Sequence, residues 1–238
     1  MKKILIVFIA FMPLMSWSQE TVFGHLTFQL PVAIGEFEET SNPTVGAGAR
    51  LNFYLRPTPT FPLQLGLDIG VFNRGHASET LPLNIAGFEN DFKVNARNGV
   101  GNFGLLLKLE PLSGKQFSPY LEGEVGGNVF YSTAYFYRKN KGGDPQSLGR
   151  NDDTKGRWAS FFGGSAGLKI ALGEKRIAGI ELKCAYFRGG ETSYNAKPRF
   201  SEGVIVFERL KSRTDMFVPQ IGMWVDFRKA DEEEKVDK

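Results

Sequence analysis

Histidine and cysteine are nearly missing from this sequence, with two and one among 238 residues. A single thiol, Cys184, cannot close an internal disulfide, and without a Cys/His cluster there is no zinc site to expect. Long apolar runs are scarce too. After the first eighteen residues none approaches the ~20 that a membrane helix requires, so a chain entering a bilayer would do so as strands. Charge of one sign is also lacking. Setting Lys2 and Lys3 aside from the 29 basic residues leaves 27 against 26 acidic ones, which removes the electrostatic case for a nucleic-acid partner.

The amino terminus is the exception. Lys2 and Lys3 precede an apolar stretch over 4–15, and Ser16-Trp17-Ser18 forms a small-x-small cleavage site. That is the layout of an export signal, so 1–18 is expected to be removed. Pro13 and the shortness of the run argue against a membrane anchor.

What the sequence has in quantity is glycine, 28 residues of it, and alternation. In "PLQLGLDIGVF", residues 62–72, Leu63, Leu65, Leu67, Ile69 and Val71 interleave with Gln64, Gly66, Asp68 and Gly70. A strand puts these two sets on opposite faces. The pattern recurs over 25–34, 44–56, 99–110, 118–138, 157–172, 177–188 and 216–228, giving eight strand candidates. Connections at 57–60, 111–116 and 173–176 are tight, those at 73–98, 139–156 and 189–215 are long and polar, and 35–43 is intermediate. Short turns at one end and long loops at the other predict an all-β fold: an eight-stranded antiparallel up-and-down transmembrane β-barrel over 19–228. Both termini are then periplasmic, with 229–238 an acidic tail.

A soluble barrel with its apolar face inside would alternate in the same way. Three features favour the membrane. Glycines 46, 48, 66, 70, 104, 126, 163, 167 and 222 sit on the polar face, where they would make room for large neighbours inside a narrow barrel. Aromatic residues gather near the ends of the apolar bands, with Phe53, Phe61, Phe117 and Phe227 at the short-turn end and Tyr131, Tyr135, Trp158, Tyr186 and Phe217 at the other. That matches two interfacial girdles. Many runs also reach the ~9–11 residues needed to cross a bilayer at a tilt.

Parity points Arg50, Arg56, Asp68, Lys108, Glu122, Glu124, Lys169, Glu181, Lys183 and Asp226 inward. Five are basic and five acidic, so a salt-bridged plug is expected, since buried charges require partners. The competing reading is a charge-selective pore, or a carboxylate pair of Glu122 and Glu124 in acid-base work. His76-Ala77-Ser78-Glu79 holds the parts of an activated nucleophile, but the residues are consecutive at the start of a long loop, so no catalytic residue is assigned. His25 is expected at the membrane interface. No glycine pair has the lysine and spacing of a phosphate loop, Asn151-Asp152-Asp153-Thr154 lacks a calcium-loop pattern, and no cofactor or metal is expected. Arg138, Lys139, Lys141, Lys155, Arg157, Arg188, Lys197, Arg199, Arg209, Lys211 and Arg213 cluster beside the long loops, where anionic lipid headgroups would attract them. Val204 to Phe207 is apolar enough to extend the wall as a hairpin or to bind a partner.

With signal, strands and loop asymmetry together, residues 20–228 resemble the small outer-membrane β-barrel family that includes the OmpA transmembrane domain, OmpX and OmpW. The Ser18-Gln19 junction and "SPYLEGEVGGNVFYS" look like its Bacteroidota members. Two features depart from that pattern: eleven residues follow Phe227, and no peptidoglycan-binding domain follows the barrel. The resemblance implies the outer membrane of a Gram-negative bacterium. The expected function is a non-enzymatic structural or accessory barrel that contacts outer-membrane lipids, including anionic lipopolysaccharide, and a larger envelope complex. A narrow porin and a lipid-modifying enzyme of the lipid A deacylase kind are the alternatives.

Overall fold

The computed structural model describes residues 21–40, 44–57, 61–85, 88–139, 146–153, 157–195, 199–201, 204–206 and 209–227. The expected signal segment and acidic tail lie outside the described residues. Nearly everything else is strand: β1 Thr21–Gln29, β2 Val32–Ala33, β3 Ala47–Arg56, β4 Leu63–Ile85, β5 Phe88–Leu109, β6 Phe117–Lys139 and β7 Gln146–Asp153. After these come β8 Trp158–Leu172, β9 Ala178–Gly189, β10 Glu191–Asn195, β11 Arg199–Ser201, β12 Val204–Val206, β13 Arg209–Arg213 and β14 Met216–Asp226. Among the described residues one short helix, α1 Glu36–Thr40, follows β2.

Eight of these strands close a barrel in the order β1-β3-β4-β5-β6-β8-β9-β14, every pair antiparallel, with β14 returning to β1. Seven residue pairs form that seam, from Phe23↔Asp226 to Gln29↔Gln220. Closure removes both sheet edges, which hydrocarbon would otherwise leave with unpaired N–H and C=O groups. Pro31 has no N–H for the ladder and separates β1 from β2, which pairs with the start of β14. At the short-turn end, Gly114 and Gly173 reverse the chain with φ of 79° and 71°, a left-handed conformation suited to glycine.

The two wall faces differ as the alternation requires. Leu65, Ile69, Val125 and Leu182 point out, with Ile69 63% exposed, while Gln64, Asp68, Lys108 and Glu181 are buried within the barrel. A continuous apolar band therefore covers the outside. Phe53, Phe61, Phe117 and Phe227 lie exposed toward one end of the strands, and Trp158, Tyr186 and Phe217 toward the other. Tyr131 and Tyr135 are partly covered.

The wall is uneven in height. β4 pairs with β5 from Leu63↔Leu109 to Ile85↔Phe88, with one irregularity between Asn73 and Gly75. At ~3.3 Å per residue, these 22- and 23-residue strands run roughly 75 Å, far beyond a bilayer. The segment 73–98, read from sequence as a polar loop, is thus the upper part of a hairpin. Upper β6 carries β7 on its free edge, from Ser132↔Asp153 to Arg138↔Gln146. The segment 189–215 is also a hairpin, in which β10 pairs with β13 and β11 with β12.

Inside, glycine leaves space for large side chains. The Tyr120 ring lies over Gly167 and the Phe187 ring over Gly163, where a β-carbon would collide with them. Outside, three glycines are covered by aromatic rings: Gly127 by Trp158, Gly99 by Tyr131 and Gly24 by Phe227.

Candidate functional site

The bore is built in layers. Nearest the short turns, Glu110 accepts hydrogen bonds from Gln64 Nε2 at 2.8 Å and Lys169 Nζ at 3.2 Å. Arg56 Nη2 stands 3.6 Å from the same carboxylate, and Asp226 is buried nearby. Above this, Glu181 binds His25 Nδ1 at 2.8 Å, Tyr120 OH at 2.6 Å and Lys108 Nζ at 3.3 Å. The Lys108 ammonium sits over the rings of Tyr54 and Tyr120, at 4.3 and 3.9 Å. Glu122 next accepts from Tyr54 OH at 2.5 Å, from Ser165 Oγ at 3.2 Å and from Lys183 Nζ. In the following layer Arg50 places both terminal nitrogens on Glu124, at 3.1 and 2.9 Å, and Nη2 also lies 3.0 Å from Asp68. Asn52 and Asn102 donate to the two Asp68 oxygens, each at 2.6 Å.

All ten inward charges singled out from sequence are therefore buried in one stack. A desolvated ion pair holds only if its geometry and additional hydrogen bonds offset the lost hydration, and the tyrosines, asparagines and glutamine supply those bonds. Alternation carried this far but left out two members. Glu110 follows the last residue of β5 and was taken as a strand end, although its parity matches Lys108. His25 was expected at the interface, yet it is fully buried because β1 begins at Thr21 and carries it into the bore. With Glu110 the set holds six acids against five bases, so the equal balance read from sequence is corrected; His25 pairs with Glu181 beside it.

Above the ion-paired layers the bore turns apolar, its rings packed against inward glycines such as Gly126 and Gly163. Phe72, Val100, Phe130, Phe161, Phe187 and Val218 meet inside the barrel as one apolar cluster, closed from above by Phe37 of α1 and Tyr194 of β10. Arg74 stacks its guanidinium over the Tyr194 ring at 4.2 Å and donates to the Asn195 carbonyl at 2.9 Å. Arg157 donates to Asn195 Oδ1 at 2.8 Å, so it is buried at the mouth and does not belong to the lipid-facing basic group expected from sequence. Thr40 bonds Tyr194, and Glu36 accepts from the Arg213 amide at 3.1 Å. The β10–β13 hairpin and α1 are thereby tied together across the opening.

Of the remaining basic residues, Arg188, Arg209 and Lys211 are exposed, and Lys211 pairs with exposed Glu191. Arg213 is partly exposed. The side chains of Arg138, Lys139, Lys141, Lys155, Lys197 and Arg199 lie outside the described residues, as do Gly142, Gly143, Thr154 and Phe207. His76 and Ser78 are both exposed on β4, no hydrogen bond joins them among the described residues, and the Glu79 side chain is outside that set. Among the described residues no group of three or more His, Cys, Asp or Glu could hold a metal ion.

No family of known proteins and no curated protein matches this sequence. Among solved structures the chain is similar to neisserial surface protein A, at 11% identity and TM-score 0.41 over 88% of this chain and 97% of that one. It is also similar to the attachment invasion locus protein Ail of Yersinia pestis, at 9% and 0.33 over 87% and 96%. The outer membrane protease OmpT of Escherichia coli matches at 9% and 0.35 over the same shares. This chain is an eight-stranded outer-membrane-type barrel by its own strand pairing and its outward apolar face.

Proposed function

We propose that the protein is a non-enzymatic barrel of a Gram-negative outer membrane, a structural or accessory component with both termini in the periplasm. The observation that carries this reading is the filled bore. Four layers of paired charge lie beneath an apolar cluster, and an eight-stranded barrel is only wide enough for such side chains to fill it. A solute would have to break several ion pairs and then displace packed aromatic rings, which argues against conduction. The surfaces left for function are the lipid-facing wall and the tall β4–β5–β6 side with its appended strands. Exposed Lys93, Arg97 and Arg188 suit contact with anionic lipid such as lipopolysaccharide. The tall side suits contact with another envelope component, and the Bacteroidota kinship belongs to the same reading.

The test is purification in mild detergent together with planar-bilayer recording. A defined envelope protein is expected to accompany the barrel at fixed stoichiometry, with conductance at the baseline of protein-free bilayers. Discrete channels, or a barrel always recovered alone, would reject the proposal.

A further inference from the structure

A cavity of about 190 Å³ opens at the short-turn end of the barrel, beneath the Glu110 layer. Exposed Lys115 and Arg176 stand at its rim, and Arg176 Nη1 donates to the Gly114 carbonyl at 3.0 Å, tying the turns at 111–116 and 173–177 together. Deeper in, Arg56 lies over the Phe23 ring at 4.9 Å, while Lys169 lies over Phe23 at 4.8 Å and over Trp224 at 4.2 Å. Four cations thus line the space against two carboxylates, Glu110 and Asp226, an excess of two positive charges in a compartment walled by aromatic rings. Field lines concentrate in such a low-dielectric cleft.

The second observation is the state of Arg56. It is 6% exposed, and its Nε and Nη2 make no hydrogen bond among the described residues. These two nitrogens form one edge of the guanidinium fork, the edge that grips a carboxylate or phosphate through parallel hydrogen bonds. Glu110, at 3.6 Å, is beyond hydrogen-bonding reach and is committed to Gln64 and Lys169. Buried donors without acceptors are uncommon in proteins and costly. Both nitrogens are shielded, so gripping an anion requires the side chain to turn about its flexible stem into the cavity. Lys169 supplies a point charge from the facing wall.

We propose that this cavity is a binding site for a compact oxyanion, a phosphate or small carboxylate, gripped by Arg56 and Lys169 and admitted past Lys115 and Arg176. A space of this size, roughly six water volumes at ~30 Å³ each, takes an anion of four to eight heavy atoms and excludes a large headgroup. The inference is independent of the accessory reading, because it concerns the opposite end of the barrel from the tall wall.

The test is isothermal titration of the full folded chain, in non-ionic detergent and anion-poor buffer, with inorganic phosphate and separately with succinate. Saturable binding of at least one at a single site per chain is expected. Arg56→Gln should raise the Kd at least tenfold, while Glu191→Gln, on an exposed residue of β10 at the opposite end of the barrel, should leave it within threefold. No saturable binding of either anion, or equal binding by folded Arg56→Gln, overturns the proposal. Should Arg56→Gln fail to fold, the rim variant Lys115→Gln/Arg176→Gln decides: at least a threefold weakening supports the site, and unchanged affinity overturns it.

Discussion

Tyr120 and Gly167 face each other across the β6–β8 pair, and the phenol ring occupies the volume that a β-carbon at 167 would need. The same phenol donates to Glu181 at 2.6 Å, so the missing methyl at 167 and the charged layer above are coupled. Gly167→Ala should push the ring off that carboxylate. A loss of about 1–3 kcal/mol is expected for such overpacking, read as a lower urea midpoint in micelles. Gly123→Ala, on the outer face with nothing within 4 Å, is the matched control and should unfold as the parent does.

Glu122 holds Lys183 in a layer where neither side chain is more than 1% exposed. Glu122→Gln takes from that ammonium its hydrogen-bonded carboxylate and should cost roughly 3–5 kcal/mol, the range for breaking a buried pair. Adding Lys183→Met should restore much of the stability. Denaturant titration of both variants checks this. A single variant as stable as the parent, or one that opens an ion path in bilayers, would show that the layer is a channel guard and not a structural plug.

Cys184, the single thiol of the chain, points outward from β9. In reconstituted vesicles it should react with a lipid-soluble thiol reagent and resist a charged, membrane-impermeant one. The reverse order would place the outer wall in water. Ile221→Arg on the same band, between the girdle residues Phe217 and Phe227, should cost about 2–4 kcal/mol near the bilayer mid-plane, measured as reduced folding yield into lipid.

Arg74 joins the apolar lid to the wall through the Tyr194 ring and the Asn195 carbonyl. Arg74→Met should release the β10–β13 hairpin, seen as faster proteolytic cleavage within 189–215. The barrel should keep its resistance to heat in detergent, and its conductance should stay at baseline because Phe72, Phe130 and Phe161 remain below.

Much of the barrel was legible from period two alone, because one face meets lipid and the other a narrow bore, and the contrast survives along every spanning segment. It failed where the contrast fades. Beyond the bore His76, Ser78 and Lys93 are exposed polar residues, so they look like loop residues although their backbones are paired. The apolar upper bore escaped for the opposite reason. Val71-Phe72, Phe130-Tyr131, Phe161-Phe162, Tyr186-Phe187 and Phe217-Val218 are adjacent apolar pairs, one member inside and one outside. Each is a flaw in the alternation. Five such flaws at one level are the signal of a greasy layer within the barrel. The partners of the buried charges could not be read, since Arg50 finds Glu124 across 74 positions of sequence, and register and barrel shear decide that.

The seam between β1 and β14 also sets a timetable. β1 has its second neighbour at the far end of the barrel sequence, so its outer row of amides stays without a mate until β14 has been delivered. A chain cut short before Met216 would hold two raw borders and no ring. Such a barrel is exposed to its own copies until β14 is in place, and its assembly is governed less by local folding speed than by how long that waiting border can be sheltered.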